Sequence, residues 1–130
     1  MSEAADVTLI VNWNFERRPS YSRQAQTMMD RLIAQRPDVV CLTEAYEGST
    51  VALGGHEIAS RGATWSFNRR DGERLVALWS SRSWLDVDMA GNDGTAAGGY
   101  ISGITDTANG PTRVIGVCAP HHAASPIGAM

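Results

Sequence analysis

The chain has 130 residues, which is enough for a single core and no more than one domain. Its hydrophobic share of 43% excludes a disordered chain, and its formal net charge of -3 gives no overall attraction to nucleic acid or an anionic membrane. All basic residues are arginine, and the guanidinium suits bidentate phosphate contacts, so the charge balance leaves a phosphate substrate open.

Residues 1–6 are short and acidic, without the basic start and apolar stretch of a signal peptide. No apolar run reaches the length of a bilayer span, so the expected location is cytoplasmic. Residues 7–11 form a β-rich run followed by Asn12-Trp13-Asn14. Residues 15–22 are polar and read as a loop, with Ser20 or Ser22 as the cap of a following helix. Over residues 23–36, Ala25, Met28, Met29, Leu32 and Ile33 make one apolar stripe at helical spacing, and Pro37 ends the helix. Val39, Val40, Cys41 and Leu42 lack polar alternation and predict a strand buried on both faces, with Glu44 two residues beyond it. The helical connection is long enough for the first two strands to run parallel.

Further along, residues 45–52 read as a short helix or a loop, and residues 56–60 and 64–68 as short strands. Asp71-Gly72 is a turn signal before a strand over residues 75–80, and residues 84–87 are expected as its hairpin partner. Residues 89–98 are a Gly-, Asn- and Asp-rich loop. Two more strands, over residues 100–105 and 113–118, flank the turn Asn109-Gly110-Pro111, and residues 121–130 form a tail. One βαβ unit followed by short strands predicts an α+β fold, mainly antiparallel. Cys41 and Cys118 sit in apolar runs and read as buried thiols rather than a disulfide or metal site, and His56 reads as a surface residue.

Residues 7–120 resemble the endonuclease/exonuclease/phosphatase superfamily, the DNase I-like fold of two packed sheets with flanking helices. The resemblance rests on Val11-Asn12-Trp13-Asn14 and Pro37-Asp38-Val39-Val40-Cys41-Leu42-Thr43-Glu44, and more loosely on Val76-Ala77-Leu78-Trp79-Ser80 and residues 113–118. It implies that Glu44 binds Mg²⁺ (or Mn²⁺ or Ca²⁺), with Asn14 beside it orienting the metal or the phosphate. A hard cation that keeps most of its waters and takes one or two carboxylates suits those residue types. Pro120-His121-His122-Ala123-Ala124 resembles the family's His-Ala-Ala segment, which implies that His122 contacts the phosphate or protonates the leaving oxygen. The implied reaction is hydrolysis of a phosphoester, nucleic acid included, by metal-activated water.

The chain is about half the family's length and lacks its Gly-Asp-x-Asn and Ser-Asp-His segments. The expected architecture is therefore a partial domain, the first sheet and its helix, with impaired turnover. A half-domain that self-associates through an exposed sheet, or pairs with a complementary chain, is a second reading. An unrelated α+β domain in which Asn14 and Glu44 merely end strands is a third.

Overall fold

The structure, a computed structural model, describes residues 7–61, 71–89 and 98–118. The expected strand over residues 64–68, most of the 89–98 loop, His121 and His122 lie outside them. The elements run β1 (Ile10–Asn14), α1 (Arg23–Gln35), β2 (Val39–Tyr46), a 3₁₀ turn (Val51–Leu53), β3 (His56–Ala59), β4 (Glu73–Ser80), β5 (Trp84–Asp88), β6 (Tyr100–Thr107) and β7 (Gly110–Val117). They build an α+β domain in which a four-stranded sheet, ordered β1-β2-β4-β3, lies between the helix and a three-stranded sheet, ordered β5-β6-β7. Strands β1 and β2 are parallel, as the long helical connection allows, and the other pairings are antiparallel.

The helix forms where its stripe predicts. Ser22 is extended and its Oγ accepts the Ala25 N–H at 3.2 Å, while Arg36 closes the helix in a left-handed conformation just before Pro37. Ala25, Met29 and Leu32 are buried against Val40, Leu42 and Trp79 of the large sheet. Ile33 falls at the stripe's edge and stays 43% exposed. In β2 the inward positions alternate between two cores. Val40 and Leu42 meet the helix, and Cys41 packs with Val76, Leu78 and Ile101 between the sheets. The absence of polar alternation in this strand is thus explained by apolar layers on both sides.

Three sequence expectations are corrected. Strand β1 starts later than residue 7 and includes Asn12-Trp13-Asn14, because Val11 and Trp13 pack toward the helix while Asn12 and Asn14 line the opposite side. The segment 84–87 is a strand but does not pair with β4, which already has β2 and β3 on its two edges. It crosses instead to the second sheet and pairs with β6. The domain is also not limited to one sheet and its helix, since the second sheet covers the large sheet's other face. Buried hydroxyls fasten the crossing: Ser80 Oγ and Thr105 Oγ1 lie 2.6 Å apart, and Ser80 Oγ accepts the Arg82 N–H at 3.0 Å. Among the described residues no helix is long and apolar enough to cross a membrane.

The sheets approach closely at Gly116. A β-carbon there would lie 2.7 Å from Val76 Cγ2 and 3.1 Å from Leu78 Cδ2. Gly116→Ala is therefore expected to overpack the inter-sheet core and destabilise the domain by about 1–3 kcal/mol. Urea unfolding checks this, and an unchanged midpoint would refute the close approach.

Candidate functional site

The site begins with the parallel register of β1 on β2, which sets Asn14 opposite Thr43 and next to Glu44. Beyond β1 the chain continues to bond with β2: Phe15 N–H donates to Thr43 O at 2.8 Å and Arg17 N–H to Glu44 O at 2.7 Å. Glu44 lies within β2, at its rim, rather than two residues past the strand. The register is the same on either side of it, Thr43 to Val76 and Ala45 to Arg74, so no residue is inserted. Glu44 nevertheless has φ of 52°, a left-handed conformation that costs a non-glycine residue about 1–2 kcal/mol.

Asn14 Nδ2 donates to Glu44 Oε2 at 3.2 Å, and Asn14 Oδ1 accepts the Glu16 N–H at 2.6 Å. A backbone N–H needs an oxygen acceptor, so the second bond fixes which way the carboxamide points. Asn14 thus presents its amide to the carboxylate and turns its oxygen back into its own loop. That geometry lets it orient Glu44, with one of the two lone pairs of its own oxygen taken by the Glu16 N–H. Among the described residues Glu44 Oε1 accepts no hydrogen bond.

A cavity of about 460 Å³ opens beside this pair, between β1, β2 and β7, with Asn12, Asn14, Cys41, Thr43, Val114 and Gly116 in its lining. Burial pushes the Cys41 thiol up to about 11, and neighbouring Cys118 adds to the shift. Burial likewise raises Cys118, with the Glu44 charge contributing. Both are half-buried thiols, less enclosed than the sequence suggests, and both stay protonated near neutrality. They are poor metal ligands in that state. Cys118 also shows where β7 ends, close enough to Glu44 to feel its charge.

Of the sequence-identified residues, the structure brings Asn14 and Glu44 together. His122 lies outside the described residues, and His56 is exposed at the start of β3, as expected of a surface residue. Among the described residues no three His, Cys, Asp or Glu side chains cluster as a metal centre. Three residues around the pair were not singled out from the sequence. Asn12 shares Asn14's side of β1, a two-residue spacing that would have been visible had the strand been extended. The Arg17–Glu73 ion pair joins the loop after β1 to β4, and groups 56 residues apart leave no local signal. In comparisons with known proteins, no family model, no curated protein and no solved structure matches the chain.

Proposed function

We propose that Glu44 binds Mg²⁺ and that the chain carries the metal half of a phosphoesterase site of the endonuclease/exonuclease/phosphatase, DNase I-like type. The observation that supports this most is the Asn14–Glu44 hydrogen bond, formed at a left-handed residue on the rim of an otherwise regular buried strand. Non-glycine residues in such conformations concentrate at functional sites, because elsewhere a relaxed residue replaces them. The donor chemistry fits the ion. Glu44 is partly exposed and has one oxygen held by Asn14 and the other open, which suits a cation that keeps several waters and takes few carboxylates. Mn²⁺ and Ca²⁺ share that preference for oxygen.

In this reading each residue has a limited task. The Glu44 carboxylate anchors the ion, and the Asn14 amide holds that carboxylate in one rotamer without adding a charge that would repel phosphate. When bound, the ion supplies Lewis acidity to a phosphoryl oxygen. His122 is the proposed proton donor to the leaving oxygen. It follows Cys118 by four residues, a span of at most about 14 Å of extended chain. The substrate is a phosphoester, with nucleic acid phosphodiesters included, and turnover by this chain alone is weak. The thiols of Cys41 and Cys118 in one apolar cluster fit a reducing, cytoplasmic setting. The test is Mg²⁺ binding by the wild type compared with Glu44→Ala. Equal binding by the two would remove Glu44 from the site.

A second reading, self-association, is favoured by the sheet edges. Strands β1 and β7 are each the last strand of a sheet and flank the same cavity, and Ile10, Ile115 and Val117 there are 55%, 56% and 59% exposed. Open edges bearing apolar side chains invite strand addition. Sedimentation velocity over a hundredfold concentration range is expected to show a monomer giving way to a dimer. A single monomeric species throughout would count against this reading.

A further inference from the structure

The geometry points to the Arg17–Glu73 ion pair as a positioning device that holds Asn14 on the Glu44 carboxylate. The inference rests on the metal-site reading above, and adds residues that act through Asn14 and Glu44 without touching the ion.

Three observations carry it. First, the left-handed residues of this corner lie on both of its strands' ends: Glu16 and Arg17 have φ of 53° and 62°, facing Glu44 at 52°. Backbone in this state persists only where its surroundings over-determine it. Second, the restraint is Arg17. Its N–H bonds to the Glu44 carbonyl at 2.7 Å, while its guanidinium makes a two-point contact with Glu73, through Nε to Oε2 and through a terminal nitrogen to Oε1 at 3.1 Å. Third, the anchor is enclosed. The Glu73 side chain is only 8% exposed, on β4 opposite Tyr46 of β2, so the loop is tied to the central strands of the large sheet. The chain of contacts is continuous: Glu73 to Arg17, Arg17 to the Glu44 backbone, Glu16 to Asn14, and Asn14 to the Glu44 carboxylate. A planar, five-donor guanidinium fixes direction where an ammonium fixes only distance, so the two-point contact depends on the guanidinium.

The experiment compares Mn²⁺ affinity, by calorimetric titration, with thermal stability in wild type, Arg17→Met, Arg17→Lys, Glu73→Gln and the Arg17→Met/Glu73→Gln double variant. Ile101→Ala, in the core between the sheets, is the control for destabilisation alone. Residues that orient a metal ligand typically cost 10–100-fold in affinity when removed. The Arg17 and Glu73 single variants are expected to weaken Mn²⁺ binding about tenfold or more, and the double variant no further than either single. Ile101→Ala is expected to melt lower with its Mn²⁺ affinity unchanged. Arg17→Lys keeps the charge and guards against loss of fold, and it should still weaken binding. Affinity that merely follows melting temperature across all variants, the control included, would overturn the proposal. If the wild type itself binds no Mn²⁺, the metal reading fails separately. The clamp is then read from the Asn14 side-chain NH₂ resonances in ¹⁵N spectra: their displacement in Arg17→Lys supports it, and unchanged resonances refute it.

Discussion

The proposed site predicts that Mg²⁺ raises the melting temperature of the wild type, and Glu44→Ala is expected to abolish that rise while leaving the far-ultraviolet circular dichroism unchanged. A ligand that binds only the native state stabilises it by about 2.7 kcal/mol at a hundredfold excess over its dissociation constant. For a domain of this size that corresponds to a shift of roughly 10 °C. The loss should be complete because Glu44 is the single carboxylate on which the proposed site depends. Glu44→Gly removes the same carboxylate and should lose the same response. It differs in one respect, since glycine adopts φ near +50° without a β-carbon clash. Glu44→Gly is therefore expected to be about 1 kcal/mol more stable than Glu44→Ala. Equal stability of the two would mean that the left-handed conformation relaxes once the carboxylate is gone.

Leu42→Ala should have the largest effect on the fold itself. Leu42 is fully buried on β2, between β1 and β4, and packs into the cluster that includes Ala25, Met29 and Leu32 of the helix. Truncation removes apolar contacts and leaves a cavity beneath a helix whose own backbone holds it in place. Such replacements cost about 2–5 kcal/mol. The melting temperature should drop by roughly 10 °C or more, with an unchanged dependence on denaturant. Because Leu42 faces the helix and Thr43 the cavity, the variant should keep its metal affinity wherever it remains folded.

The helix, the buried second strand and their parallel partner were legible in the sequence because each rests on a local pattern. The stripe from Ala25 to Leu32, the Ser22 cap and the Pro37 stop all lie within one element, and the unalternated run from Val39 to Leu42 reports its two apolar layers directly. What was not legible depends on distant partners. Nothing near Trp84 says that β4 has no free edge, so the three-residue gap between the strands suggested a hairpin where the chain changes sheets. The bonds from the Trp84 indole to His56 O and between the Ser80 and Thr105 hydroxyls that secure this crossing span 28 and 25 residues. At the site, Asn14 and Glu44 stood out through the residues around them. The left-handed backbone of Glu16, Arg17 and Glu44 had no signal, since none is glycine and the contact that accompanies it, Arg17 with Glu73, joins residues far apart in the chain.

The most direct test is a thermal melt of the wild-type chain followed by tryptophan fluorescence, first with excess Mg²⁺ and then with chelator. Trp13 precedes Asn14 in β1 and, on the helix side of that strand, meets Phe15 edge-on at a ring separation of 6.0 Å, so the signal follows the strand that carries Asn14 along with the rest of the fold. A single cooperative transition, moved up by about 10 °C with Mg²⁺ and returned by chelator, is the predicted result. Superimposable melts in the two conditions would contradict the assignment of a metal site to Glu44.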